Sequence, residues 1–233
     1  MNKLWFTADS HFGHVNILNY TKRPWSTVDQ MNEALVENWN AVVAPEDTVI
    51  VLGDFAMGVR KDTCPIGKRL NGHKILVPGN HDICWDAGRD GSGRPSPGKL
   101  ANQVAKFCEW SGFEQVLQPL QWLNIREDGS WIVYPYPQGI EGTIVALSHL
   151  PPIECGDHKD GVAVYENEVR FMAQRPTYPP EGIWILCGHV HEAWWIHGRV
   201  INVGVDVWNY KPVAAETLRQ IILRGEEESS ARS

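Results

Sequence analysis

Five short clusters of polar residues each follow directly on a run of apolar residues, and this pattern constrains the fold more than any other feature. Each run has the length and the Val, Ile, Leu and Trp content of a buried β-strand. In open α/β sheets, sites form where loops leave the carboxyl ends of the strands, so we expect the five loops to meet at one edge. The clusters are Asp9-Ser10-His11, Gly53-Asp54, Gly79-Asn80-His81-Asp82, Ser148-His149 and Gly188-His189-Val190-His191.

The side chains of these clusters point to metal chemistry. A mixture of imidazole and oxygen ligands suits divalent Zn, Mn, Fe or Ni, and there are too many ligands for one ion, which predicts a two-metal hydrolytic site. Taken singly, the clusters have ordinary explanations. Asp54 could form a turn, His149 could be a structural histidine, and Asn80 to Asp82 could be a polar turn. Repetition at five successive strand ends favours the metal site.

Composition bounds the remaining possibilities. A chain of 233 residues can bury one sizeable core, and we expect a single domain over residues 1–224 with a disordered, charged and Ser-rich tail over 225–233. The formal net charge of −7 argues against a broad nucleic-acid-binding face, although bound dications could still attract a phosphate substrate. Five scattered cysteines, the lack of a signal peptide and the lack of a membrane-spanning segment predict a cytoplasmic protein.

Several elements can be predicted around the clusters. Thr27 to Gln30 resembles a capping box that opens an amphipathic helix. Residues Gln115–Arg126 and Trp131–Tyr136 are strand-like, flank the turn dipeptide Asp128-Gly129, and indicate a second sheet. The Gly- and Pro-rich stretch Trp85–Lys99 has no periodicity and predicts an irregular loop beside the His81 cluster.

The ordered series Asp-x-His, Gly-Asp, Gly-Asn-His-Asp, His and Gly-His-x-His, from residue 9 to residue 191, resembles the motifs of the calcineurin-like metallophosphoesterases. The strings at 9–17 and 202–206 resemble small stand-alone members of that superfamily from bacteria and phages. The resemblance implies an α/β fold, a four-layer αββα sandwich of two packed mixed sheets flanked by helices.

The resemblance also implies roles for the matched positions. His81 would be the catalytic histidine, and we expect Asp82 to fix its ring and raise its pKa. His14 and Asp206 could support metal ligands or could be capping or surface residues. Asp54 would bridge two ions. The first ion would be held by Asp9, His11, Asp54 and His191, and the second by Asp54, Asn80, His149 and His189.

The expected reaction is phosphoester hydrolysis by a hydroxide shared between two cations about 3.5–4 Å apart. We expect Mn²⁺, with Fe, Zn or Ni as alternatives, and a small phosphodiester substrate such as a 2′,3′- or 3′,5′-cyclic nucleotide. The compact size and a Trp-rich rim would favour a small ligand that stacks. A nuclease, a phosphomonoesterase and a non-enzymatic binding scaffold of the same fold are the alternatives. The sequence does not indicate the oligomeric state.

Overall fold

The structure is a computed structural model that describes residues 2–85, 97–126, 128, 130–134, 143–155, 175–177 and 183–230. The strands are β1 (Leu4–Thr7), β2 (Thr48–Leu52), β3 (His73–Val77), β4 (Gln115–Val116), β5 (Leu120–Ile125), β6 (Trp131–Tyr134), β7 (Thr143–Ser148), β8 (Trp184–Cys187), β9 (Ile196–His197), β10 (Val200–Asn202) and β11 (Val213–Ala214). The helices are α1 (Ile17–Tyr20), α2 (Val28–Asn40), α3 (Arg60–Thr63), α4 (Pro97–Ser111) and α5 (Ala215–Ser230).

These strands form two mixed sheets. The first has the order β11-β1-β2-β3-β4, with β1 to β4 parallel and β11 antiparallel to β1. The second has the order β6-β5-β7-β8-β10-β9, in which β7, β8 and β10 are parallel. One core cluster contains residues of both sheets, among them Phe6, Leu52, Leu123 and Leu147. The predicted fold, two packed mixed sheets with flanking helices, is therefore confirmed.

Helix α2 forms where the sequence predicts it, because its apolar residues recur at helical spacing. The Thr27 hydroxyl accepts a hydrogen bond of 3.2 Å from the backbone N–H of Gln30 and caps the first turn. Met31 and Trp39 are buried and join a second core cluster with Val51 on β2. Phe107 of α4 belongs to the same cluster, so both helices cover the outer face of the first sheet.

Parallel strands bring the motif loops together. The loops after β1, β2 and β3 leave the first sheet at the same edge, and the loops after β7 and β8 leave the second. Asp9 N–H donates to the Gly53 carbonyl over 3.1 Å, and Gly188 N–H donates to the His149 carbonyl over 3.0 Å. Across the two sheets, the N–H of His189 donates to Asp9 Oδ2 over 2.8 Å. This edge is where all the predicted ligands lie.

Two sequence-based boundaries are wrong, each for a local reason. The segment Gln115–Arg126 divides into β4 and β5, which belong to different sheets, because Pro119 lacks the N–H that a continuous ladder needs. Helix α5 extends to Ser230, so residues 225–230 are helical where a disordered tail was predicted. Gly225 allows this extension, since a Cβ there would lie 2.8 Å from the Trp184 ring.

The predicted loop Trp85–Lys99 is described only at its ends. Trp85 is buried, with 2% of its surface exposed, and residues 97–99 already belong to α4. Residues 86–96 lie outside the described part of the chain. All five cysteines are free thiols. Within the described residues, no helix has the length and apolar character that crossing a bilayer requires.

Candidate metal centre

The backbone of the motif loops adopts a conformation that side-chain-bearing residues rarely take. Five of the proposed ligands have positive φ angles, which costs roughly 1–3 kcal/mol at each non-glycine residue. Asp9 and His11 are both left-handed, so they do not continue the extended chain of β1. Their side chains still converge, with His11 Nε2 3.9 Å from Asp9 Oδ1. The φ angles are 58° at Asp9, 51° at His11, 54° at Asp54, 73° at His189 and 47° at His191.

Two groups of side chains can each surround an ion. Asp9, His11 and His191 form the first group, and each offers a ligand atom within 4.8 Å of the others. Asp9, Asp54 and His149 form the second group by the same measure. The rings of His11 and His191 lie 5.1 Å apart between centroids. The first group matches three of the four ligands expected at the first position.

Asp54, a member of the second group, also approaches His11 of the first. Its Oδ2 is 3.5 Å from His11 Nε2 and 3.4 Å from His149 Nε2. Its Oδ1 accepts a hydrogen bond of 2.9 Å from the backbone N–H of His81. Burial would raise the pKa of Asp54, but the imidazoles of His149 and His81 outweigh it and hold the pKa well below its usual value. A bridging role would therefore fall to Oδ2, the oxygen that faces both groups.

The buried atoms of the first group fit a metal ion. Asp9 Oδ1 and both ring nitrogens of His11 are buried and have no hydrogen-bond partner among the described residues. Buried polar atoms are almost always bonded, so these three need a partner of another kind. Burial lowers the pKa of His11 well below its usual value, which keeps the ring in the neutral, metal-binding form. Burial also raises the pKa of Asp9 to about 6, because it disfavours the charged carboxylate. A nearby cation would stabilise that charge.

Asn80 and His189, which were expected at the second position, both contact His149. His149 Nδ1 donates to the Leu52 carbonyl over 2.8 Å, and its Nε2 donates to Asn80 Oδ1 over 2.9 Å. Burial would lower the pKa of His149, but Asp54 outweighs it and raises the pKa to about 10. The His189 ring lies edge-on to that of His149 at 5.2 Å. A metal bound here would replace the proton on His149 Nε2.

His81 differs from the buried histidines around it. Its side chain is 37% exposed, whereas those of His11 and His149 are 2% and 0% exposed. Its Nε2 lies 4.0 Å from Asp54 Oδ2. The Arg60 guanidinium donates to the His81 carbonyl over 2.8 Å, so both the N–H and the C=O of this residue are held. The imidazole therefore reaches solvent from a fixed backbone beside the centre.

The structure corrects the role expected for Asp82. Its buried carboxylate accepts hydrogen bonds from the backbone N–H groups of Asp54, Phe55 and Gly79, at 2.9, 3.2 and 2.8 Å. Burial, together with the negative charge of Asp54, raises the pKa of Asp82 to about 6. The carboxylate thus holds the turn that presents Asp54, where the sequence suggested that it would fix the His81 ring.

The glycines of the motifs make space for ligands. Gly79 lies outside the left-handed region, and a Cβ there would collide with Asp54 Oδ1. A Cβ on Gly188 would lie 2.6 Å from Asp9 Oδ2. Any side chain at either position would displace a carboxylate that the centre uses.

His14 and Asp206 were expected either to support metal ligands or to be capping or surface residues. Of the two, Asp206 contacts a proposed ligand directly. Its Oδ2 lies 2.9 Å from His191 Nδ1. The ring of His14 lies 5.3 Å from that of His11, and burial lowers the pKa of His14 to about 4. Sequence analysis missed Arg23, which binds Asp206 through Nε at 2.8 Å, because an isolated arginine before Pro24 matches no motif.

Comparisons with known proteins agree with this geometry. The chain is 40% identical over 229 residues to an uncharacterized protein of Methanocaldococcus jannaschii, covering 97% of this chain and 94% of that protein. It is 30% identical to the gene 66 protein of Mycobacterium phage D29, covering 90% of each chain. The crystal structure of a protein of unknown function from Aquifex aeolicus has the same fold, with a TM-score of 0.56, 23% identity and coverage of 95% of this chain and 100% of that one.

The family model of the calcineurin-like phosphoesterases matches residues 3–193, which include all five polar clusters. This match covers most of the chain and agrees with the archaeal and phage relatives. The chain therefore belongs to the calcineurin-like phosphoesterase family.

Proposed function

We propose that this phosphoester hydrolase is a phosphodiesterase with two divalent metal ions that acts on small phosphodiesters such as 2′,3′- or 3′,5′-cyclic nucleotides. The observation that carries the proposal is the set of buried, unpartnered ligand atoms of Asp9 and His11 beside the exposed imidazole of His81. We assign the first ion to Asp9, His11, Asp54 and His191, and the second to Asp54, Asn80, His149 and His189.

The donor set supports the choice of metal. Three oxygen-donating side chains and four imidazoles make a mixed set, which accepts Mn²⁺ and also Fe, Zn or Ni. When bound, two such ions supply a hydroxide nucleophile at neutral pH and neutralise charge on the phosphoryl oxygens. The side chain of Asp54 keeps the two positions close, because its Oδ2 faces both. We propose Mn²⁺ as the activating ion.

His81 is the proposed proton donor. Its exposed ring can approach a substrate, while its N–H and C=O are held by Asp54 and Arg60. A histidine held in this way can protonate the leaving oxygen as the P–O bond breaks. Asp82 acts indirectly, since it holds the backbone turn of Asp54.

An exposed aromatic ring near the centre supports a substrate with a stacking group. Tyr20 is 60% exposed, and its ring lies 6.1 Å from that of His14, which in turn lies 5.3 Å from that of His11. A nucleobase or aryl group on a bound phosphodiester could pack against Tyr20. The sequence suggested that tryptophans would stack on the substrate, whereas the ring contacts of Tyr20 with His14, and of His14 with His11, favour Tyr20. The free cysteines support a reducing compartment, and we propose the cytoplasm.

A metal-dependent substrate screen tests the proposal. Chelator-stripped protein, with and without added Mn²⁺, would be assayed on bis-(p-nitrophenyl) phosphate, p-nitrophenyl phosphate, both classes of cyclic nucleotide and single-stranded nucleic acid. We expect Mn²⁺ to restore activity, with the small diesters turned over fastest. Full activity without metal would reject the dinuclear centre. Preference for p-nitrophenyl phosphate would indicate a phosphomonoesterase, and preference for single-stranded nucleic acid would indicate a nuclease. Two bound metals without turnover of any substrate would indicate a non-enzymatic binding scaffold.

A further inference from the structure

The guanidinium of Arg23 is fully enclosed, and every one of its N–H groups has a partner. Its side chain is 0% exposed, and that of Asp206 is 2% exposed. Nε and one terminal nitrogen bind the two carboxylate oxygens of Asp206 at 2.8 and 2.9 Å. The terminal nitrogens also donate to the carbonyls of Asp9 at 2.6 Å and Ser10 at 2.9 Å, and to the Met31 sulfur at 3.4 Å. These contacts use all five donors of the arginine.

The partners of Arg23 come from distant parts of the chain, and they include the turn that carries Asp9 and the carboxylate of Asp206, which contacts His191. The Asp9 and Ser10 carbonyls belong to the left-handed turn that presents Asp9 and His11. Asp206, which is 183 residues away in sequence from Arg23, also binds His191 Nδ1 at 2.9 Å. One guanidinium thus connects the turn after β1 to the ring of His191, and these two elements carry the whole first group.

We propose that Arg23, acting with Asp206, is the positioning pair of the first metal position, to which Asp9, His11 and His191 are assigned. This inference rests on the proposed function. The described contacts of Arg23 reach the Asp9 turn and, through Asp206, His191. None of these contacts involves the residues assigned only to the second ion.

The chemistry of the pair explains how it would act. The Asp206 carboxylate accepts a hydrogen bond from Nδ1–H of His191, which leaves Nε2 as the nitrogen available to a cation and fixes the angle of the ring. Arg23 holds the two carbonyls of a turn whose left-handed residues are otherwise unfavourable. Asp206 also neutralises Arg23, so that the buried guanidinium does not repel a metal nearby. Lysine cannot replace this arrangement, because it has three donors and no planar fork.

Calorimetric titration of metal-stripped protein with Mn²⁺ tests the proposal without using activity. Arg23→Lys should weaken one of two sites on the order of 10–100-fold, the usual effect of removing a residue that supports a ligand. The other site should be unchanged. His11→Ala and His149→Ala identify the sites, since each lacks a ligand of only one position, and the Arg23→Lys titration should resemble that of His11→Ala.

Arg69→Lys is the matched control, because Arg69 also makes a two-pronged pair, with Glu33, but on the surface. It should bind Mn²⁺ as the wild type does. Asp206→Asn keeps the size of the side chain and should weaken the same site as Arg23→Lys, so it decides the question if Arg23→Lys does not fold.

Equal weakening of both sites in Asp206→Asn, or no weakening, would overturn the proposal, since the first result indicates a general structural role. If the wild type itself bound no Mn²⁺, the proposed function would fail and the positioning role with it. Two tight sites in the wild type and unchanged sites in the variants would reject the positioning role alone.

Discussion

Replacing His81 by alanine separates proton donation from metal binding. The imidazole is 37% exposed and packs against the centre only at its edge, with Nε2 4.0 Å from Asp54 Oδ2. The hydrogen bonds of this residue to Asp54 Oδ1 and to Arg60 use its backbone, so alanine keeps both. We therefore expect His81→Ala to retain two metals and to change the free energy of unfolding by no more than about 0.5 kcal/mol, as for most surface substitutions.

His81→Ala should instead lower the rate of the chemical step. Removing one general acid lowers a rate on the order of 10²–10⁴-fold. At 1.36 kcal/mol for each factor of ten, this corresponds to a barrier about 2.7–5.4 kcal/mol higher. The effect depends on the leaving group, because a nitrophenol is acidic and departs without protonation, whereas a ribose hydroxyl needs the proton. We expect the nucleotide diester to lose at least about ten times more rate than the nitrophenyl diester.

The assay is kcat for wild type and variant on both diesters, with metal content measured on the same samples. His73→Ala is the matched control, because His73 lies at the opposite end of β3 from the His81 loop and its side chain is 53% exposed. It should leave both rates unchanged. Equal losses on the two substrates with metal retained would show that His81 orients the phosphoryl group without donating a proton. Loss of metal would make it a ligand.

Three further predictions follow from the contacts described. Asp54→Ala should reduce the metal content from two ions to none, because Oδ2 faces both positions; two tightly held ions by elemental analysis would refute the bridge. Gly188→Ala should abolish Mn²⁺ binding at the first position, since its Cβ would lie 2.6 Å from Asp9 Oδ2, and an unaltered titration would contradict this reasoning. Burial would raise the pKa of Asp47, but three donated hydrogen bonds outweigh it and hold the pKa below its ordinary 3.8. The three hydrogen bonds contribute about 3 kcal/mol above the unfolded-state pKa, and part of that contribution should be lost as pH falls through the lower folded-state value. The loss of stability of Asp47→Ala in urea unfolding should therefore be larger at pH 7 than in strong acid, and an equal loss at both pH values would contradict this reasoning.

The positions of the motifs could be predicted because their signals are local. An apolar run followed by a polar cluster marks a strand end, and parallel strands bring such ends to one edge. The conformation of those ends could not be predicted, since Asp9 and His11 take left-handed angles that only the surrounding contacts hold in place. The role of Asp82 was mistaken for a related reason, because its sequence neighbour His81 suggested a partner while the fold supplied three backbone N–H groups.

Contacts between residues far apart in the sequence could not be predicted from the sequence. Arg23 and Asp206 are 183 residues apart, and a single chain gives no sign that they meet. The end of α5 was placed too early because Gly225 normally ends a helix, whereas here it lets the helix pass over Trp184.

The division of the proposed ligands between the two sheets has a consequence for how the protein would hold metal ions. The loops of the first sheet carry the oxygen donors Asp9, Asp54 and Asn80, and the loops of the second carry the imidazoles of His149, His189 and His191. Neither sheet alone presents a complete set for either position. A chain whose sheets have separated must therefore release its ions, so the rate at which a fast chelator captures them would gauge how often the sandwich opens in the native protein.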